Sequence, residues 1–90
     1  MIFLQNLSWE IHPNPFNPTT AISFQLSAIS DVKLSIYDMN GKIVATLIND
    51  NKSAGYYEVN WDASNFSSGI YFYRLQAGEF VDTKKMILMK

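Results

Sequence analysis

The sequence predicts an all-β, two-sheet antiparallel sandwich, and three observations carry that prediction. Apolar and polar residues alternate with period two from Thr20 almost to the end, as they do in strands with one face buried. Turn-forming clusters recur about every 8 to 12 residues, the spacing of strands in a sandwich. No stretch of helical length repeats with period 3.6. A small barrel satisfies the same observations and is the competing architecture.

The strands read in order. Ile22, Phe24 and Leu26 share one face against Ser23 and Gln25, and after a short polar link Val32, Leu34 and Ile36 share one face against Lys33, Ser35 and Tyr37. Asp38, Met39, Asn40 and Gly41 follow, and an Asn-Gly pair between two β runs marks a hairpin because both residues tolerate positive φ. The next strand is expected over residues 42–48. Asp50, Asn51, Lys52, Ser53, Ala54 and Gly55 read as a polar loop. Tyr57, Val59 and Trp61 then face one way, with Glu58 and Asn60 facing the other.

A Ser- and Asn-rich loop over residues 63–69 leads into IYFYRLQA, with Tyr71, Tyr73 and Leu75 on one face and Ile70, Phe72 and Arg74 on the other. Ala77, Gly78 and Glu79 turn the chain into a last strand over residues 80–89. Six strands are visible, and a seventh is expected around Phe16 or earlier. The alternation is lost over residues 1–12, which therefore read as a linker. No internal repeat or low-complexity segment is present.

Ninety residues make one domain, and at this size folding buries only about 60 to 65% of the surface of the unfolded chain. The core must be dense in large side chains. A composition of 48% hydrophobic, 14% aromatic and 17% charged residues supplies them and is too apolar for a disordered tail. Seven basic and eight acidic side chains give a net charge of -1, with no basic run longer than two residues, so nothing attracts nucleic acid through its phosphates. No apolar stretch approaches the roughly 20 residues that span a bilayer as a helix. The start, MIFLQNLSWE, has no basic n-region and breaks its apolar run at Gln5 and Asn6, unlike a signal peptide. Without cysteine there is no disulfide, thiol nucleophile or thiolate metal site.

Few residues suggest chemistry. The sole histidine, His12, precedes Pro13 in the stretch read as linker, so a Ser/His/Asp site would rest on the least ordered part of the chain. Glu58 and Asp62 are four residues apart on one strand face, roughly 13 Å, wider than either glycosidase carboxylate pairing. Asp50 and Asn51 offer oxygens without the D-x-[DN]-x-[DN]-G spacing of a calcium loop. Asn6, Asn51 and Asn65 begin N-x-[ST] triplets, a pattern that arises readily in a chain rich in Asn and Ser. Trp61, Tyr71, Phe72 and Tyr73 would make a sugar-stacking platform if they lay coplanar outside, but the strand period turns Trp61, Tyr71 and Tyr73 toward the core. No catalytic residue, cofactor or metal ligand is expected.

The two ends are more specific. Asn14, Pro15, Phe16, Asn17 and Pro18 set two prolines around an aromatic ring, which bars a helix and presents Phe16 as a plug at one end of the core. Near the other end Met86 and Leu88 lie on one face of the last strand, with Ile87 and Met89 on the other, so that strand is apolar on both sides. Such a strand needs cover or a partner, and a sheet edge is a site for adding a partner strand. Lys84, Lys85 and Lys90 bracket the apolar run as gatekeepers against aggregation.

These motifs resemble the type A C-terminal sorting domain of the bacterial type IX secretion system, also called the Por secretion system. The resemblance spans residues 13–90 and rests on PNPFNPTT with AISFQL, VKLSIYDMNGKIVATL, AGYYEVNWDA, SSGIYFYRLQAG and TKKMILMK, in that order. It implies a seven-stranded immunoglobulin-like β-sandwich at the C-terminus of a larger secreted protein. It further implies a non-catalytic tag, recognised after periplasmic export by an outer-membrane shuttle barrel and usually removed by a sortase-like cysteine protease that attaches the cargo to the cell surface.

Carried over to this chain, the implied recognition residues are Pro13, Asn14, Pro15, Phe16, Asn17, Pro18, Gly41, Gly69, Tyr71, Lys85, Met86, Ile87, Leu88, Met89 and Lys90. Family members follow a long N-terminal cargo, so residues 1–12 are expected to be a linker or the remnant of one. Two other readings fit a sandwich of this size: a carbohydrate-binding module of a secreted glycan-degrading enzyme, and a domain like that of a flagellar hook-capping protein.

Overall fold

The computed structural model describes residues 8–12 and 18–89. Its strands are β1 (Ser8–His12), β2 (Thr19–Leu26), β3 (Ser30–Tyr37), β4 (Ile43–Lys52), β5 (Gly55–Asp62), β6 (Gly69–Ala77) and β7 (Phe80–Leu88). They form two antiparallel sheets, ordered β1-β2-β5 and β4-β3-β6-β7. No helix occurs among the described residues.

The predicted faces meet between the sheets. Ile22, Phe24, Leu26 and Trp61 from one sheet and Val32, Leu34, Ile36, Tyr71, Tyr73, Leu75, Met86 and Leu88 from the other form one buried cluster. Period-two alternation lets each strand present one apolar face inward. Buried polar groups have partners: Thr20, Ser30 and Ser35 are buried, and no buried side-chain nitrogen or oxygen among the described residues lacks a hydrogen bond. Ser35 departs from the expected pattern, because its outward face lies in the sheet interior between β4 and β6.

The structure differs from the sequence reading at several points. First, Ser8–His12, in the stretch read as linker, is β1 and pairs with β2 from Ser8↔Gln25 to His12↔Ala21. His12 therefore stands in a strand, not in an irregular segment. β1 is the seventh strand expected around Phe16 or earlier, and its five residues, SWEIH, do alternate, over a span too short to stand out.

Second, Asp50, Asn51 and Lys52 continue β4, opposite Val32, Asp31 and Ser30, and only Ser53 and Ala54 separate β4 from β5. β4 is an edge strand of its sheet. Its pairing is made by the backbone, so polar side chains there are solvated and leave no period. The Tyr57 hydroxyl donates to the Ser53 carbonyl at 2.6 Å, tying down the crossing from one sheet to the other.

Third, the β3–β4 hairpin uses positive φ at Gly41 alone, at 81°, and at no non-glycine residue. The Gly41 N–H donates to the Asp38 carbonyl at 3.1 Å and the Asp38 N–H to the Lys42 carbonyl at 2.9 Å. A turn closed by a single left-handed glycine is the three-residue hairpin loop. Asp38 Oδ1 accepts from the N–H groups of Asn40 and Lys42 at 2.8 and 3.0 Å, as an Asp opening a turn does. Asn40 needs no left-handed conformation in this loop. At the opposite end Ala77 stays in β6, and Gly78 and Glu79 make the turn to β7.

Candidate functional site

The register brings distant parts of the sequence to one end of the molecule. β5 ends at Asp62 beside Thr19 of β2, and the following loop crosses to the other sheet and enters β6 at Gly69. There Gly69 pairs with Leu88, Ile70 with Ile87 and Tyr71 with Met86. One residue farther along, Phe72 lies between Tyr37 of β3 and Lys85 of β7. The hairpin over residues 38–42 extends from the same end of β3.

The crossing loop is held from both sides. The Ala63 N–H donates to the Pro18 carbonyl at 3.0 Å, and the Phe66 N–H to the Ala63 carbonyl at 3.0 Å. Asp62 Oδ1 accepts from the Ser64 N–H at 3.0 Å and its hydroxyl at 2.5 Å. Below the loop Trp61, Phe66 and Tyr71 form an aromatic triangle with centroids 5.5, 5.8 and 6.2 Å apart, mostly in edge-on arrangements that favour the ring quadrupoles. The Tyr71 hydroxyl donates to the Ser67 carbonyl at 2.8 Å. Between the hairpin and this loop lies a shallow hollow of about 180 Å³, lined by Asp38, Met39, Asn40, Ser68, Ile70 and their neighbours.

Of the implied recognition residues, Pro18, Gly41, Gly69, Tyr71, Leu88 and Met89 gather at this end, and Lys85, Met86 and Ile87 follow it down β7. Pro13, Asn14, Pro15, Phe16, Asn17 and Lys90 lie outside the described residues. Burial divides the set. Tyr71, Met86 and Leu88 are core side chains, whereas Met89 is 55% and Ile87 36% exposed and Lys85 is exposed. Among the described residues β7 is the last strand of its sheet, beside β6, and its outward face carries the exposed apolar residues Val81 and Ile87.

The remaining candidates are dispersed. Trp61, Tyr71 and Tyr73 are at most 7% exposed, as the strand period required, and make no outer platform. Glu58 and Asp62 are exposed on β5. Asp50 and Asn51 border an open hollow of about 430 Å³ at the far end. There the Asn51 amide donates to Asp31 Oδ1 at 2.8 Å and Lys52 Nζ lies 3.9 Å from Asp50. No group of three possible metal ligands occurs among the described residues. Sequence reasoning missed the loop locks at Asp62 and Asp38. Their signal was legible, since an Asp at the first position of a tight turn can accept from backbone N–H groups ahead of it.

Comparison with known proteins agrees with this architecture. Among solved structures, the chain superposes with a TM-score of 0.62 on part of PorZ, an essential bacterial surface component of the type IX secretion system of Porphyromonas gingivalis. Identity is 17%, over 92% of this chain and 12% of PorZ, so the likeness is one of fold, and the chain spans about an eighth of that protein. A search of curated proteins finds no match. The family model of the secretion system C-terminal sorting domain matches residues 10–89. The chain belongs to that family, the C-terminal sorting domains that mark larger proteins for type IX secretion to the cell surface.

Proposed function

We propose that this domain is a non-catalytic export tag read as a folded object, through the end of the sandwich where Pro18, the Gly41 hairpin, Gly69 and the close of β7 come together. The observation that carries the reading is that convergence. Segments up to about 70 residues apart in sequence share one surface, and the most exposed apolar groups there, Met39 at 67% and Met89 at 55%, stand on either side of it. The reading assigns the cargo to the N-terminal side, an outer-membrane shuttle barrel as the receptor, and a sortase-like protease that cuts before Pro13 as the releasing enzyme. Recognition extends to Pro13, Asn14, Pro15, Phe16, Asn17 and Lys90, which flank the same surface in sequence.

The domain is immunoglobulin-like in this reading. Support comes from the strand order, with β1, β2 and β5 facing β4, β3, β6 and β7, and from the Tyr71 hydroxyl reaching a carbonyl four residues upstream at the start of β6. In immunoglobulin-like sandwiches a tyrosine near the start of the corresponding strand makes a contact of this kind.

The test is a periplasm-directed fluorescent reporter fused ahead of the 90-residue chain in a type IX-competent host, beside a version lacking Met86, Ile87, Leu88, Met89 and Lys90. The full fusion is expected on the surface or in the medium and the truncated one in the periplasm. Equal retention of both in the periplasm would overturn the reading.

A further inference from the structure

Asn40 is the one asparagine of this chain that a glycine follows. Both residues stand exposed at the tip of the β3–β4 hairpin. The Asn40 backbone N–H donates to Asp38 Oδ1 at 2.8 Å, but its side-chain amide makes no hydrogen bond to a described residue. A Cβ added at Gly41 would meet nothing within 4 Å, so the space around the pair is open.

We propose that Asn40 is a site of spontaneous covalent modification, converting through a succinimide ring shared with Gly41 into aspartate and isoaspartate. The Gly41 nitrogen loses its proton to water or hydroxide and bonds to Asn40 Cγ. The Cγ–Nδ2 bond breaks, the side-chain nitrogen leaves as ammonia, and the ring is closed. Water then opens it at either carbonyl. Breaking the bond between Cγ and the Gly41 nitrogen gives aspartate. Breaking the bond between the main-chain carbonyl carbon and that nitrogen gives isoaspartate, with the chain running through Cβ and Cγ. In sum a water is consumed and an ammonia released, with no oxidant or reductant.

The other asparagines are placed less well for this step. Glycine has no Cβ to obstruct ring closure on its nitrogen, whereas Asn6 precedes a leucine. Asn14 and Asn17 precede prolines, whose nitrogens have no proton to lose. Asn49, Asn51 and Asn60 stand within β4 and β5, where strand pairing holds the backbone extended, and the Asn51 amide is also tied to Asp31. Asn65 precedes Phe66, whose N–H is engaged by the Ala63 carbonyl at 3.0 Å.

The folded turn restrains the reaction without forbidding it. The Gly41 N–H that must be lost is donated to the Asp38 carbonyl at 3.1 Å. Attack therefore occurs when the tip opens locally, a smaller step than unfolding of the sandwich. Asp38 Oδ1, holding the N–H groups of Asn40 and Lys42, is the latch against that opening. Isoaspartate adds a methylene to the main chain of a three-residue loop and so displaces the N–H groups that Asp38 holds. The inference stands apart from the export reading, although the hairpin lies on the surface that reading names.

Incubation of the folded 90-residue chain in neutral and mildly alkaline buffer tests it. One added carboxylate takes the net charge from -1 to -2, which isoelectric focusing follows, and tryptic mapping places the change. Residues 34–42, between the cuts after Lys33 and Lys42, hold Asn40 and no other asparagine. That peptide should convert first, faster at the higher pH, and should contain isoaspartate, detected by enzymatic methylation of its carboxylate, beside aspartate. Asn40→Gln, whose longer side chain must close a larger ring, should abolish the early charge shift. Asp38→Ala should speed conversion about two- to tenfold, the range by which loss of a hydrogen bond favours the open tip. Should that variant lose its fold, Asp38→Ser, which keeps a weaker acceptor, should still speed conversion. Conversion at Asn40 no faster than at Asn65, aspartate as the sole product, or a rate unmoved in the folded Asp38 variants would overturn the proposal.

Discussion

The Tyr71 hydroxyl donates to the carbonyl of Ser67, four residues upstream, at 2.8 Å, and so ties the crossing loop to the strand it feeds. The ring is buried against Trp61 and Phe66. Tyr71→Phe keeps that packing and removes one hydrogen bond. The expected loss is about 0.5 to 1.5 kcal/mol, toward the low end because Ser67 is exposed and water can take over its carbonyl. Urea unfolding measures it; a loss beyond about 3 kcal/mol would mean that the hydroxyl organises more than this loop.

Trp61 is a core side chain, 4% exposed. Trp61→Ala should cost about 3 to 5 kcal/mol, a large share of the stability of so small a domain. Thermal unfolding checks it. An unchanged melting temperature would show the indole to be outside the core and return the sugar-platform reading.

Gly41 sits at φ 81°, and a Cβ added there would meet nothing within 4 Å. Gly41→Ala should therefore act through backbone conformation alone and cost about 1 to 2 kcal/mol. Gly41→Asn should cost less, since Asn visits the left-handed region more readily. If Ala and Asn destabilise equally, the left-handed conformation is not the reason for glycine. Asp38→Ala removes the two N–H contacts at the base of the same turn and should cost about 1 kcal/mol.

The sequence made the inward faces legible because burial and alternation share one cause. Ile22, Phe24, Leu26, Val32, Leu34, Ile36, Tyr71, Tyr73 and Leu75 all lie where the period placed them. It hid what the period does not govern. Asp50, Asn51 and Lys52 belong to an edge strand whose side chains meet water, so their strand character is set by pairing with Ser30, Asp31 and Val32. Ser8–His12 is likewise defined by its partner strand. The convergence of Pro18, Gly41, Gly69 and Met89 was not legible at all, because closeness at the sandwich end follows from strand order and not from spacing along the chain.

β7 separates a stability role from an exposed one on adjacent residues. Met86 is 0% exposed and Ile87 36%. Met86→Ala leaves a cavity between the sheets and should cost about 2 to 5 kcal/mol, whereas Ile87→Ser, on the outer face, should stay within about 1 kcal/mol of the parent. In the reporter assay the order should invert for a receptor that reads the outer face: Ile87→Ser lowers surface delivery at nearly full stability. Met86→Leu should deliver normally, because a volume-conserving swap keeps the core filled. Normal delivery by Ile87→Ser together with loss by Met86→Leu would place recognition away from the exposed face of β7.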